Sequence, residues 1–418
     1  MNKIVNYLEN QANFNDLNKV KQALTTLELK IDPKKVIIIS GTNGKGTTCA
    51  TLQTLLIESG RCVGFFSSPH LMKINERIKF NDENISDEDF CKIFKKIHKK
   101  VENFNLSYFE YLTLMACYYF FEVKKVDYAI FEVGLGGIFD ATNVIPHDIS
   151  VITRLGMDHE AVLGNNLLDI AKNKFGIISD NNIVFHTKFD NDKVKNLAKE
   201  VAEEHKAKFI EAYKYECLAT VAEQYDYPDF FINTSHGIFR MSLQGKRAAE
   251  NMSLAITIYD CLIGDVLNVI HAVGKVNWPG RMEKIEYKNR DIFLSGDHNP
   301  QGIKSLLEIL RYYNYDRVHF VIGVCSDKNH RLMLEALSTV GGCGRSVIYL
   351  TETPVKTTPL KDYDKSFLES ANFSSPDQIK ALDAAISNAK NEDLIIVTGS
   401  LYLVGKICHH ITTSSWLS

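Results

Sequence analysis

The sequence predicts an α/β fold: a mostly parallel sheet covered by helices on both faces, followed by a smaller α/β domain. Three observations carry that expectation. Short Val- and Ile-rich runs recur along the chain, amphipathic stretches of helical period separate them, and several runs lead straight into glycine. The runs are Val36-Ile39, Asp127-Val133, Ile149-Thr153, Ile183-His186, Ile292-Leu294, Val318-Val324, Val347-Leu350 and Leu394-Thr398. A strand buried on both faces has no polar side to alternate with, so near-continuous apolar runs mark parallel strands under helices. In such sheets ligands collect at the carboxyl ends of the strands. Polar and glycine-rich segments follow these runs repeatedly.

A chain of 418 residues exceeds what one ordinary core holds, which predicts two domains. The expected boundary lies near residues 283–288, where a polar stretch follows Trp278-Pro279-Gly280-Arg281 and precedes a fresh α/β pattern. The domains are therefore placed at 1–284 and 285–418. The stretch from His205 to Gly245 has weaker periodicity with Tyr and Phe interleaved, and reads as a small β-rich subregion closing the first domain.

Composition excludes several classes. Hydrophobic residues at 45% and charged residues at 24% describe an ordinary globular chain with a sizeable core. A net charge of -3 lacks the basic footprint of a nucleic-acid binder. Lys95-Lys96 and Lys99-Lys100 sit on a helix-like segment and read as a solvated face. The nine cysteines, Cys49, Cys62, Cys91, Cys117, Cys217, Cys261, Cys325, Cys343 and Cys408, are scattered with no Cys-x-x-Cys pair, which fits reduced thiols. Met1 to Asp16 lacks a signal-type apolar stretch. The strongest apolar run, Leu112 to Val123, falls short of the ~20 residues that cross a bilayer. The expectation is a cytoplasmic, monomeric protein without nucleic-acid or membrane partners.

After the first strand comes Gly41-Thr42-Asn43-Gly44-Lys45-Gly46-Thr47-Thr48, then an amphipathic run through Leu55 and Leu56. Strand, glycine-rich loop and helix start in that order make a phosphate site. The glycines turn backbone N–H groups inward, Lys45 supplies a cation and the helix N-terminus adds its dipole. The strict pattern has Ser or Thr directly after Lys; here Gly46 intervenes. The plain alternative is a glycine-rich turn with an exposed lysine.

This loop resembles that of the folate-conjugating branch of the Mur ligase superfamily, the dihydrofolate synthase/folylpolyglutamate synthase family. Further motifs follow in family order. Ser67-Ser68-Pro69-His70-Leu71 with Asn75-Glu76-Arg77-Ile78 looks like the family's mobile loop beside the phosphate site. Tyr108-Phe109-Glu110 looks like its pterin-contacting segment. Glu132-Val133-Gly134-Leu135-Gly136-Gly137, Asp140-Ala141-Thr142-Asn143 and Asp158-His159 match as well. So do Ile170-Ala171 with Lys174, Gly176 and Ile177, then Trp278-Pro279-Gly280-Arg281, His298-Asn299-Pro300, Asp327-Lys328 and Gly399-Ser400-Leu401-Tyr402. The resemblance implies a Mur-ligase-like fold: a P-loop ATPase domain with a mostly parallel sheet, plus a smaller Rossmann-like α/β C-terminal domain.

What the resemblance implies chemically is ligation of L-glutamate to dihydropteroate and to folate. An amine cannot attack a carboxylate at a useful rate, whereas the γ-phosphoryl group of ATP converts it to a mixed anhydride with a good leaving group. That first step needs charge neutralisation and in-line positioning. By resemblance ATP is held by Asn43, Gly44, Lys45, Gly46, Thr47, Asn251 and Arg281, and Asp297 is added as a relocated carboxylate. Mg²⁺ is held by Ser68, Glu132 and His159, and the other substrates by Phe109, Glu110, Phe139, Asp140, Ala141 and His298. Lys45, His159 and Lys174 carry the catalysis, Lys174 matching a lysine that is carbamylated in the superfamily. From the residues alone, Glu132 is equally a buried salt-bridged carboxylate, His159 a structural histidine and Lys174 a helix-surface lysine. Thr47 and Thr48 suit either phosphate contact or capping. Arg281 at the boundary is the expected hinge for closure on substrate.

Four departures from the family pattern stand out. Ile138 replaces the arginine after Gly136-Gly137, and Arg247-Ala248 replaces His-Gln. Ser295 stands where the family has Asp, and Asp297, on the same side of an extended strand, is a candidate substitute. Asn173 and Phe175 flank Lys174 in place of Glu and Ala. They leave two other readings open: a divergent Mur-type ligase acting on another carboxylate, and a non-catalytic nucleotide-binding paralogue.

Overall fold

A computed structural model describes residues 1–11, 16–220, 227–340 and 345–414; Cys343 lies outside them. The chain forms two compact units. One comprises Met1–Tyr215, Thr234–Gly237 and Glu250–Val276, the other Glu216–Asn233, Ile238–Ala249 and Asn277–Ser418.

The first unit is built on an eight-stranded sheet of β1 (Val36–Ser40), β2 (Val63–Phe66), β3 (Ile78–Phe80), β4 (Glu83–Asn84), β5 (Tyr128–Glu132), β6 (Ile149–Ile152), β7 (Ile183–His186) and β8 (Lys208–Glu211). Their order is β4-β3-β2-β5-β1-β6-β7-β8. β3 and β4 pair antiparallel, and the other pairings are parallel. β1 is central, and Val36, Ile37, Ile38 and Ile39 are wholly inaccessible. This is why its sequence shows no alternation. In β2, Gly64 leaves room for a ring, since a Cβ there would stand 2.5 Å from Phe120. The helices Leu17–Thr26, Asp87–Val101 and Tyr108–Cys117 contribute Leu24, Phe90, Phe94 and Tyr111 to an apolar core that includes Ile38 and Phe131 of the sheet.

Register sets the site. Ile39 is level with Glu132 on one side and with Val151 on the other, and Phe66 is level with Phe131. The loops after β1, β2, β5 and β6 therefore leave the sheet together, at the point where connections from β1 diverge to both sides.

In the second unit a six-stranded sheet has β12 (Arg281–Tyr287), β13 (Arg290–Ser295), β14 (Val318–Ile322), β15 (Ser346–Thr351), β16 (Phe373–Ser375) and β17 (Leu394–Thr398), in the order β12-β13-β17-β14-β15-β16. All but the β12–β13 pair are parallel. A three-stranded sheet, order β11-β10-β9, is formed by β9 (Tyr215–Ala219), β10 (Phe230–Thr234) and β11 (Gly237–Met241).

All eight apolar runs became strands. Two readings need correction. The polar stretch at 283–288 belongs largely to β12, an edge strand whose one solvated face makes it alternate where a buried strand would not. The second unit accordingly begins its last segment at Asn277. Of the β-rich stretch 205–245, β8 joins the large sheet, while Glu216–Asn233 and Ile238–Ala249 group with the second unit. Aromatic-rich strand composition does not say which core a strand joins. The apolar run from Leu112 is the buried helix Tyr108–Cys117 and its wider π-helical continuation Tyr118–Lys124. Among the described residues no helix is long and apolar enough to cross a membrane, and eight cysteines are free thiols.

Ile38→Ala should lower unfolding stability of the first unit by about 2–5 kcal/mol, because it opens a cavity at the sheet centre. Urea denaturation followed by circular dichroism checks this.

Candidate functional site

The chain leaves β1 at Ser40 and turns on Gly41 and Gly44, with φ of 149° and 93°. Both positions exclude a side chain sterically. A Cβ on Gly41 would stand 1.8 Å from Thr153 Oγ1, and one on Gly44 would stand 2.2 Å from Asn251 Oδ1. The loop 154–156 holds the turn from the side. Thr42 and Asn43 donate their backbone N–H groups to the Arg154 carbonyl at 3.0 and 3.2 Å, and Thr42 Oγ1 exchanges hydrogen bonds with Gly156 O and N. Arg154 is in turn paired with Glu250 at 3.1 Å.

Helix Lys45–Glu58 starts at this turn with no side-chain cap, so its first backbone N–H groups are available to an anion. Thr48 Oγ1 and Asn251 Oδ1 are buried without a hydrogen-bond partner. The glycine cradle, the uncapped helix and these unsatisfied atoms fit a bound phosphate chain. Lys45 Nζ donates to Gly41 O at 3.0 Å, and Lys174 Nζ donates to the same carbonyl at 2.9 Å. Lys174 is only 4% exposed, so it is a buried cation and not a helix-surface lysine. Asn251 lies against Gly44 of the phosphate turn.

Glu132 ends β5, is buried, and accepts the Ser68 backbone N–H at 3.1 Å. Beneath the loop lies the buried Cys49 thiol. Burial pushes it well above its ordinary range, Glu132 raises it further and Lys45 opposes, so both charges face the helix start. His159 follows the buried Asp158 in the loop after β6. It adopts the left-handed conformation, φ 50°, unusual for a residue with a side chain, and its Nε2 lies 4.0 Å from Asp158 Oδ1. Among the described residues no three His, Cys, Asp or Glu side chains form a ready-made metal cage. Ser68 and Glu132 are in contact, and a hydroxyl, a carboxylate and an imidazole are donors that a hard cation keeping several waters, such as Mg²⁺, can take.

On the other side of Glu132 the glycine turn is organised by Asp140. Its carboxylate accepts the N–H groups of Gly134, Leu135 and Thr142 and the Thr142 hydroxyl, at 2.6–3.0 Å. Burial lifts this carboxyl above its ordinary value while the four donors pull it down. Ala141 is buried behind it, and Phe139 projects with 61% exposure. Phe109 covers Gly134, where a Cβ would stand 2.9 Å from its ring. Glu110 is otherwise engaged. It caps its own helix through the Ser107 N–H at 2.6 Å and pairs with Lys19 at 3.3 Å, so its carboxylate organises the segment. Ile138 packs on Gly176, and Asn173 fills the space over Gly136, so two of the departures from the family pattern lie in one contact layer.

Arg281, Asp297 and His298 lie in the second unit. β13 ends at Ser295, so Asp297 is in a loop and not on the strand; the pleat fails there because Gly296 and the following turn break the ladder. The two residues meet nonetheless, Ser295 Oγ donating to Asp297 Oδ2 at 2.7 Å. A Cβ at Gly296 would stand 2.7 Å from the Arg281 guanidinium, so glycine makes room for it. His298 Nδ1 bonds Gly296 O at 3.0 Å, and Asn299 caps helix Pro300–Leu310. Arg247 donates to Gln301 O at 2.5 Å. Ser400 Oγ lies 3.4 Å from Cys325 Sγ and accepts the Tyr402 N–H, as a loop support would.

Sequence reading passed over Thr153, Arg154 and Glu250, which buttress the turn. Nothing in their local spacing marks them, because their partners lie on distant strands.

Residues 39–259 match the Mur ligase middle domain, and residues 280–401 match the Mur ligase glutamate ligase domain. The chain therefore belongs to the Mur ligase family. Within it, the chain is 30% identical to the dihydrofolate synthase/folylpolyglutamate synthase of Bacillus subtilis (strain 168), over 94% of each. Escherichia coli FolC in complex with DHPP and ADP has a TM-score of 0.84 at 26% identity, covering 99% of this chain and 98% of that one. The Yersinia pestis bifunctional folylpolyglutamate synthase/dihydrofolate synthase, complexed with AMPPNP and Mn ion, has a TM-score of 0.82 at 26% identity, covering 98% of each.

Gly44→Ala should weaken ATP binding by about tenfold or more, since it combines a left-handed strain of roughly 1–2 kcal/mol with the clash at Asn251. Calorimetric titration with ATP checks this.

Proposed function

We propose that this chain is an ATP-dependent ligase. It joins L-glutamate to dihydropteroate and to folate polyglutamates through an acyl phosphate, releasing ADP and phosphate. The observation that carries this is the glycine turn. Its backbone donors, Lys45 and uncapped helix start lie beside Glu132 at adjacent strand ends, in a chain similar along its length to synthases of that name.

Each group then has a task. Gly44, Gly46 and Thr47 turn N–H groups and a hydroxyl to the phosphates, Asn43 lines the same turn, and Lys45 leaves Gly41 O to neutralise their charge. Ser68, Glu132 and His159 would hold Mg²⁺, which supplies charge neutralisation at the transferring phosphoryl group. Asn251, Arg281 and Asp297 are assigned to the nucleotide, and Phe109, Phe139, Asp140 and Ala141 to the pterin-bearing acid. Glu110 supports that wall, and His298 serves the incoming amino acid. The first unit is assigned to ATP and the pterin-bearing acid, and the second to glutamate ligation. Carbamylated Lys174 belongs to this reading by family resemblance. As an amine it donates to Gly41 O, and as a carbamate it would be repelled from that carbonyl and freed to face the metal. The protein acts as a cytoplasmic monomer on small-molecule substrates. Its scattered free thiols and modest net charge support that reading.

A second reading keeps the chemistry and changes the acid. The apolar contact of Ile138 with Gly176, in place of the family's arginine, favours it.

ADP release with ATP, Mg²⁺, L-glutamate and either dihydropteroate or tetrahydrofolate tests the proposal, and its absence with both, but not with another carboxylate, would select the second reading. Glu132→Gln should lower kcat by about a hundredfold or more while leaving the unfolding midpoint near that of the parent. Chelation by EDTA should abolish turnover, and added Mg²⁺ should restore it.

A further inference from the structure

The segment after β2 carries a second device that the roles above leave unused. Arg77 is 8% exposed, and among the described residues no carboxylate pairs with it. Its Nε donates to His70 Nδ1 at 2.8 Å, and its guanidinium lies 5.3 Å from the centre of the Tyr108 ring. A buried cation without a counter-ion is costly. Such a group is stabilised when an anion arrives.

The hydrogen bond also fixes the state of His70. A guanidinium nitrogen can only donate, so Nδ1 must accept, and the proton of the neutral ring is on Nε2. Among the described residues Nε2–H has no partner, and the ring is only half-buried, so the donor is open to a ligand. Its position is rigid. Glu76 accepts the N–H groups of Leu71, Met72 and Lys73 at 2.7–3.0 Å, and Ser67 N donates to Arg77 O at 2.9 Å. Two residues before His70, the Ser68 N–H is tied to Glu132.

Location selects the ligand. β2 is separated from the phosphate strand β1 by β5, whose end carries Glu132 and the glycine turn. The aromatic residues around the pair are Tyr108, under Arg77, and Phe109, which reaches from Phe66 at 5.5 Å to Gly134. An anionic group attached to a flat ring suits this surroundings better than a nucleotide phosphate does. We propose that Arg77 and His70 form the anion-binding pair for the acid substrate. His70 Nε2–H donates to an oxygen of the carboxylate that is to be phosphorylated, and Arg77 supplies the compensating charge. This rests on the ligase reading above.

His70→Asn and His70→Gln separate the two faces of the ring. Asparagine places an oxygen near the former Nδ1 and keeps the Arg77 bond, while glutamine places an N–H donor near the former Nε2. His70→Asn should raise the KM for the folate or pteroate acid about tenfold or more, the worth of a charge-assisted hydrogen bond. The KM values for ATP and L-glutamate should stay within about twofold, and His70→Gln should recover most of the loss. In the parent protein, ¹⁵N NMR should show the Nε2–H tautomer, with its resonance shifting when the acid is added without ATP. Unchanged acid KM in His70→Asn, equal impairment in both variants, a shift confined to the KM for ATP or glutamate, or a tautomer protonated on Nδ1 would each overturn the proposal. The NMR measurement holds even if a variant fails to fold. Absence of ADP release from the parent protein with every folate acid would instead overturn the ligase reading itself.

Discussion

Two ammonium groups converge on one carbonyl, and much of the first unit is arranged around that meeting. Gly41 O accepts from Lys45 on the helix that follows it and from Lys174 on a helix well over a hundred residues away. The first bond is local, four residues along the chain, and the second is buried and long-range. A turn that must expose its N–H groups to an anion cannot satisfy them internally. Its shape therefore depends on contacts to its carbonyls and flanks, which Lys174, Thr42 and the Arg154–Gly156 segment supply.

The same economy runs through the neighbouring loops. Asp140 and Glu76 each spend a carboxylate on backbone N–H groups of a turn, and Glu110 spends one on a helix start. Their hydrogen bonds to backbone N–H groups make them organisers of these loops. Glu132 differs in standing at a strand end, where it accepts the Ser68 N–H of a neighbouring loop.

Departures from the family pattern become intelligible when they are seen as contacts. Ile138 and Asn173 are separated in sequence but both belong to the packing of the glycine turn on the Lys174 helix, where Ile138 N also donates to Asn173 O at 3.0 Å. An apolar side chain and an amide thus share one contact layer. Ser295 and Asp297 likewise act as a pair, one hydroxyl supporting one carboxylate.

The sequence by itself determined the strands of both sheets, the phosphate turn and the helix behind it. These are written in local order: Val36-Ile39 is apolar throughout because both its faces are covered, and Gly41 and Gly44 are glycine because no other residue fits their angles and surroundings. Only the tertiary structure decided where long-range partners meet. That Lys174 is buried on Gly41 O, and that Thr42 and Asn43 are held by the loop after β6, depend on segments far apart in the chain. Edge strand β12 and the strands β9 to β11 were equally unreadable as to which body they join. A half-solvated strand carries an alternating pattern that fits any sheet, and the choice is made by the surface it finds to cover.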